Sequence, residues 1–181
     1  ARTALLLLGA AGLFAVAVET TSSDWAAFRF TDDLGSSAGR AGLAFVAVTG
    51  GMTVGRFVGD WATVRLGPDR LRDVASALSF LGLATATLID RPLLNLAGLF
   101  VAGLGTSSML PAIYDRAAKH PGRPGAGLGA LTAGLRVSGL SMPVTVGLLA
   151  GTSLSVGAAM AIVTLPSVIG FAIVGRVLAR R

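Results

Sequence analysis

The chain has 181 residues, of which 53% are hydrophobic and only 13% are charged, and its formal net charge is +6. A soluble domain carries about a quarter of its residues as charged side chains and could not bury several apolar runs of about twenty residues, so the composition excludes a soluble domain and indicates a membrane protein. The absence of cysteine excludes disulfides, thiolate nucleophiles and Cys-ligated metal sites, and the scattering of the basic residues in short gaps argues against nucleic acid as a partner.

Six apolar runs are each long enough to cross a hydrocarbon layer about 30 Å thick. In chain order, the predicted transmembrane helices lie near residues 4–23, 41–59, 74–90, 93–113, 126–150 and 155–175. Together they predict an all-α integral membrane fold, with residues 1–181 forming a single six-helix bundle. The first residue is Ala1 rather than Met, and no cleavage site follows the first run, so we expect a chain that begins inside a longer protein rather than with a signal peptide.

The distribution of basic residues predicts how the spans are oriented. Short connections force neighbouring spans to be antiparallel, so alternate loops lie on opposite sides of the membrane. One side is predicted to carry eleven basic residues: Arg2, Arg56, Arg65, Arg70, Arg72, Arg116, Lys119, Arg123, Arg176, Arg180 and Arg181. The other side carries Arg29, Arg40 and Arg91. The positive-inside rule then predicts a multi-pass protein of the plasma membrane, the bacterial inner membrane, with both chain ends in the cytoplasm.

Small residues and a faint repeat predict how the spans pack. Gly51, Gly55 and Gly59 in the second span, and Ala126, Ala130 and Gly134 in the fifth, have the spacing of close helix contacts. The letters GLF at 12–14 and TTS at 20–22 recur 86 residues later as GLF at 98–100 and TSS at 106–108. This offset divides the chain into three spans plus three, which makes the second unit inverted relative to the first. Prolines at positions 143 and 166 predict kinks.

Two charged residues fall within the predicted spans, where a charge is costly enough to indicate a function. Glu19 is predicted about 22 Å above the cytoplasmic end, and Arg136 about 15 Å above it. In a structural interpretation they neutralise one another or bond to hydroxyls such as those of Thr20 and Ser138. In a functional interpretation they line a polar cavity, where Glu19 takes up a proton and Arg136 binds substrate or modulates Glu19.

A glycine-rich basic motif is predicted in the loop after the second span. Its residues are Gly55, Arg56, Gly59, Asp60, Arg65 and Gly67. The glycines permit a tight turn, and an aspartate at a membrane edge can accept from a helix N-terminus or an arginine, so the motif predicts a latch. It resembles the cytoplasmic-loop signature of the major facilitator superfamily, in the degenerate form found between the eighth and ninth helices. Trp61 replaces a basic residue of that signature, and Asp69 interrupts its terminal basic pair.

The segment from Glu19 through Asp24 and Trp25 to Phe30 is similar to the seventh helix of the branch of that superfamily that includes fucose permease. The resemblance implies that the six spans are helices seven to twelve, the C-terminal half of a twelve-helix fold whose N-terminal six-helix half is a missing partner. It implies secondary active transport of a small solute by alternating access, proton-coupled as symport or antiport. Glu19, Arg136, Asp24 and Trp25 are the candidate substrate or proton pathway.

Other functions remain open from the residues. One is a complete six-span substrate-binding subunit of a multi-component importer, and another is a homodimeric six-span exporter. An intramembrane serine protease would need a base beside the hydroxyls of the fourth span, and the only histidine, His120, is predicted in a loop, so no enzyme activity is expected. No cofactor or metal is expected either, because the carboxylates are scattered. The sequence specifies neither the substrate nor the direction of transport.

Overall fold

The computed structural model describes residues 2–180, and this part of the chain is helical, with short connections and no strand. The helices are α1 (Arg2–Asp24), α2 (Ala26–Phe28), a π-helix named π1 (Arg29–Asp33), α3 (Ala38–Leu66), α4 (Pro68–Leu88), α5 (Pro92–Thr106), α6 (Met109–Ala118), α7 (Ala126–Ala150) and α8 (Val156–Ala179). Six stretches are long and apolar enough to cross a membrane: α1, α3, α4, α5 with α6, α7 and α8. The prediction of an all-α fold with six spans is therefore confirmed.

The second span is longer than predicted, and the loop predicted after it is wrong. Helix α3 continues to Leu66, so the motif residues up to Arg65 lie within a helix and only Gly67 separates α3 from α4. The segment contains no proline, and its glycines weaken a helix without ending it. Gly67 ends it because its φ of +77° lies in the left-handed region, and Pro68 then starts α4 at a position where no amide hydrogen is needed.

The fourth span, predicted as continuous, is broken near its middle. Helix α5 ends at Thr106, and α6 begins at Met109 after a two-residue turn. The Ser107 hydroxyl donates to the Leu104 carbonyl at 2.7 Å, which competes with the helical pattern. Pro111 lacks the amide hydrogen that would continue the ladder across the turn. By contrast, α7 and α8 continue through the prolines at positions 143 and 166.

The packing of the spans agrees with the predicted three-plus-three arrangement. The first span, α1, packs against α7 and α8, and α5 packs in the same way against α3 and α4. The third and sixth spans, α4 and α8, also pack against each other. Exchanging spans one to three with spans four to six reproduces these pairings, as an inverted repeat requires.

Glycines allow the closest of these helix contacts. A side chain at Gly134 of α7 would overlap the backbone of Gly9 in α1, and one at Gly51 of α3 would overlap the carbonyl of Phe100 in α5. Gly59 has open space around it instead, so only part of the predicted small-residue stripe on α3 is used for packing.

The bundle has two ends, named here for the residues found there. At the termini end, α1 begins, α8 ends, and the α3–α4 and α6–α7 connections lie. At the Asp33 end, π1 lies beside the α4–α5 connection and the start of α8, since Asp33 bonds to the backbone of Val156 and Gly157.

Candidate functional site

Glu19 lies on α1 and is partly buried. Its nearby hydroxyls bond elsewhere: Thr20 donates to the Val16 carbonyl at 2.8 Å, and Ser23 donates to the backbone carbonyl of Glu19 at 2.6 Å. The cation whose charge acts on the Glu19 carboxylate is Arg56 of α3. The side chains point towards each other along the membrane normal, because side chains lean towards the N-terminus of their own helix and these two helices are antiparallel.

Arg136, the predicted partner of Glu19, lies on α7 with its side chain exposed. Helices α1 and α7 pack closely, yet within residues 2–180 no ion pair joins Glu19 to Arg136. Ser138, the hydroxyl predicted beside Arg136, is buried without a hydrogen-bond partner. The structure therefore brings Glu19 near a different arginine from the one that the sequence indicated.

Asp24 and Trp25 lie where α1 ends at the Asp33 end of the bundle. Asp24 is exposed, whereas the Trp25 ring lies 5.3 Å from the ring of Phe28, centre to centre, and faces Gly147 of α7. Trp25 also packs beside Met142 in a cluster with α7 and α8. Its contacts are those of a packing residue that joins three helices.

The motif residues of α3 have separate environments. Gly55 lies against Ser107 at the break of the fourth span, so a side chain there would overlap the serine. Arg65 stacks over the Trp61 ring with its guanidinium carbon 5.6 Å from the ring centre, which explains the tryptophan at a position expected to be basic. Gly67 supplies the helix end described above.

A polar stripe runs along the exposed face of α3 and is called the α3 stripe below. Its members, spaced three or four residues apart on one helix face, are Thr49, Thr53, Arg56, Asp60 and Thr63. The three threonines satisfy their own hydroxyls by donating to backbone carbonyls of α3. Arg56 and Asp60 have no ion pair within the described chain, so the stripe presents two uncompensated charges within a helix long enough to span a membrane.

A buried ion-pair cluster at the Asp33 end was missed by the sequence reasoning, which assigned Arg29 only to the side of the membrane that carries few basic residues. The Arg29 side chain is only 3% exposed and bonds through Nη1 to Asp33 at 2.7 Å and through Nη2 to Asp90 at 2.5 Å. In π1, Leu34 donates to the Arg29 carbonyl five residues earlier, and π-helical turns often occur at functional sites. The i,i+4 spacing of Arg29 and Asp33 was the one available sequence signal.

Asp33 also caps α8 from across the bundle. Its carboxylate accepts from the backbone amides of Val156 at 3.1 Å and Gly157 at 2.7 Å, which are the first two of that helix. Burial opposes the charged form, but the amide of Gly157, the Arg29 guanidinium and the amide of Val156 together hold the pKa of Asp33 below its ordinary value. The cluster thus joins π1, the α4–α5 connection and α8 through charge.

The termini end has a more exposed set of ion pairs. Arg72 of α4 bonds to Asp69 at 2.8 Å and Asp73 at 3.1 Å, and donates to the Gly175 carbonyl of α8 at 3.3 Å. Arg176 of α8 pairs with the same Asp73 at 3.3 Å. These contacts fasten α4 to α8.

A cavity of about 1120 Å³ fills the space between α6 and the helices α3, α4 and α8 at the termini end. Arg56, Asp60 and the break at residues 107–108 line it, together with α6 and the last turns of α8. Its walls are mostly apolar side chains, including Leu8 and Phe171. Non-helical backbone is tolerated at membrane depth where it lines such a cavity, so the broken span and the cavity belong together.

Six apolar spans that carry charges on an exposed face define a multi-pass membrane protein. The chain is similar to an uncharacterized MFS-type transporter of Yersinia pestis, with 28% identity over 133 residues, which is 74% of this chain and 33% of that protein. The match therefore spans well under half of the relative. No protein-family model matches the chain, and no solved structure matches it. The similarity and the six spans support membrane transport as the general function.

Proposed function

We propose that the chain forms the C-terminal six-helix bundle of a major facilitator superfamily secondary transporter. A second six-helix bundle would cover its exposed polar face, and a small solute would cross the bacterial inner membrane between the two by alternating access. Both ends of the chain would lie in the cytoplasm, because the basic residues concentrate at the termini end. The similarity to the Yersinia pestis MFS-type transporter supports the family, and the branch of fucose permease remains a proposal from the sequence.

The α3 stripe is the observation that carries this proposal. A charged side chain at the centre of a span costs about 2.5–3.5 kcal/mol on insertion scales when it faces lipid. Arg56 lies ten residues before the end of α3, about 15 Å along the helix. The cost of exposing Arg56 and Arg136 to lipid therefore indicates that the bundle surface on which they lie is covered by protein or by a water-filled path.

The encoded sequence upstream of Ala1 tests the half-transporter proposal directly. We expect six further apolar spans followed by a cytoplasmic linker. A start codon a few residues before Ala1 would refute it, and the polar face would then have to be covered by a second copy of the chain or by another subunit, as in a six-span exporter or an importer subunit.

Proton coupling through Glu19 is the second part of the proposal. Glu19→Gln in the complete protein, reconstituted in vesicles, should abolish solute uptake driven by a pH gradient. Exchange of solute across the membrane in the absence of a gradient should continue in this variant. Asp32→Asn is the matched control, because Asp32 is an exposed carboxylate that accepts from the hydroxyl of its neighbour Thr31. Unchanged pH-driven uptake in Glu19→Gln would remove Glu19 from the proton path.

Arg56 and Arg136 can be separated as partners of Glu19 by charge exchange. Glu19→Arg combined with Arg56→Glu should recover part of the free energy of unfolding that each single variant loses, because the field of Arg56 acts on Glu19. The same exchange with Arg136 should give additive losses. Rescue by the Arg136 exchange instead would restore the pairing that the sequence suggested.

A further inference from the structure

The cavity at the termini end has the size and lining of a ligand site. Its volume of about 1120 Å³ is slightly above the usual range of small-molecule sites in proteins, about 300–1,000 Å³. Apolar side chains from three spans form its walls: Leu8 of α1, Met109 and Ile113 of α6, and Phe171 and Leu178 of α8. It lies within this six-helix bundle and reaches the α3 stripe, whose residues Arg56, Asp60 and Thr63 line it.

The charges that line the cavity do not all cancel. They are Arg56, Arg72, Arg116, Lys119, Asp60, Asp69 and Asp115. Arg72 is paired with Asp69, and Lys119 with Asp115 at 2.8 Å. Within residues 2–180 the other three, Arg56, Arg116 and Asp60, form no ion pair, which leaves two positive charges against one negative charge facing the cavity.

The polar groups are concentrated at the inner end. Arg56 lies beside Gly55, and Gly55 holds α3 directly against Ser107 at the break of the fourth span. Arg56 therefore lines the cavity close to the break, about 15 Å from the end of α3. A pocket with apolar walls and a few convergent polar groups is the usual form of a site for an amphiphilic small molecule.

We propose that this cavity binds a monoanionic solute with an apolar body, such as an aromatic or aliphatic carboxylate. The carboxylate would accept from the Arg56 guanidinium, and the body would lie against α6 and α8. The excess of one positive charge matches a single negative charge on the ligand. This site rests on the cavity rather than on the proposed transport function; if both hold, it names the class of solute.

These 181 residues contain no cysteine, so a direct test needs only that any cysteine elsewhere in the complete protein is first replaced by serine. Ser108→Cys is introduced into the complete protein in phosphatidylcholine vesicles, and the rate of labelling by N-ethylmaleimide is measured with benzoate, with neutral benzamide and with cationic benzylamine. We expect benzoate alone to slow labelling, by about tenfold when its concentration is about ten times its dissociation constant. Ala112→Cys, at a second position lining the cavity, gives the same readout if Ser108→Cys does not fold.

Arginine variants of the same single-cysteine protein test whether Arg56 is responsible for the protection of the cysteine by benzoate. Arg56→Gln should weaken benzoate protection by about tenfold or more, because a hydrogen bond to a charged group is lost, and Arg56→Lys should retain most of it. Arg40→Gln is the matched control, since Arg40 is another exposed arginine of α3 and does not line the cavity. An equal loss in Arg40→Gln would overturn the assignment to Arg56.

The remaining outcomes are also decisive. Equal protection by benzamide or benzylamine, or no protection at either cysteine, would overturn the proposal. Protection by phosphatidylglycerol in the vesicles but not by benzoate would assign the cavity to a lipid headgroup and overturn the solute. A protein that binds benzoate but lacks pH-driven uptake would refute the transport function and leave the site standing, so the two failures can be distinguished.

Discussion

Asp33 and Asp90 both pair with Arg29, but removing the Asp33 carboxylate should lower the free energy of unfolding much more than removing that of Asp90. Asp33 is only 12% exposed and makes three charge-assisted contacts, to Arg29 and to the amides of Val156 and Gly157. Asp33→Ala would leave a buried guanidinium with one remaining carboxylate and would uncap α8. Breaking a buried, hydrogen-bonded ion pair costs about 3–5 kcal/mol.

Asp90 bonds to the same guanidinium, yet its side chain is 79% exposed. Water therefore screens this pair and replaces the lost contact, so Asp90→Ala should cost about 1 kcal/mol or less. Asp115→Ala removes a pair with Lys119 whose side chains are 62% and 74% exposed, and it serves as the control with an effect near zero. The order of destabilisation is then Asp33→Ala, Asp90→Ala and Asp115→Ala.

The free energy of unfolding of the complete protein can be measured by titrating sodium dodecyl sulfate into mixed detergent micelles, with the helix signal as the readout. A loss of about 3 kcal/mol or more for Asp33→Ala alone would support the buried cluster. Equal losses for the Asp33 and Asp90 variants would refute the reasoning, because burial of Asp33 and its capping of α8 are the only differences between the two contacts.

Three further predictions use the same assay. Gly134→Ala should destabilise the bundle by about 1–3 kcal/mol because the added carbon would overlap the backbone of Gly9, whereas Gly59→Ala, with open space, should be neutral or slightly stabilising. The pKa of Asp33 is lowered in the folded state, so its contribution to the free energy of unfolding is present above about pH 4, the pKa in the unfolded chain. This contribution is lost as the pH falls through the lower pKa of the folded state. Asp33→Asn should therefore make the stability depend less on pH in this acid range. Arg72→Ala should cost more than Arg176→Ala, because the Arg72 side chain is 12% exposed and that of Arg176 is 57% exposed, and a reversed order would contradict the assignment of Arg72 as the main link between α4 and α8.

The six spans could be predicted from the sequence because each apolar run exceeds the length that hydrocarbon requires. The ends of the spans were less predictable. Helix α3 continues through Asp60 and Arg65 at the edge of the apolar run, since no proline interrupts it before Gly67 and arginine is a good helix former. The break after Thr106 depends on Ser107 and Pro111 acting together, and neither residue alone would end a helix.

The candidate site was less predictable because its members come from distant parts of the chain. Arg29 and Asp90 are separated by 61 residues, and Asp33 and Gly157 by 124, so only the folded bundle reveals that Arg29 is buried. Glu19 was recognised from its depth alone, but depth along the membrane could not choose between Arg56 and Arg136. That choice depends on the rotation of α3 and α7 about their axes, which small-residue packing at Gly51 and Gly134 sets.

The two ends of the bundle differ in how their charges are held. At the Asp33 end, buried Arg29 ties three segments together, with the first amides of α8 satisfied by Asp33 and, at Ala158, by Ser155. At the termini end, the side chains of Asp69, Asp73 and Arg176 are 40–69% exposed, although that of Arg72 is only 12% exposed, and the cavity lies beside α6. Exposed pairs exchange readily with water, whereas a buried arginine cannot leave its carboxylates without a large desolvation cost. Local opening of the bundle therefore requires less free energy at the termini end, beside the broken span, than at the Asp33 end.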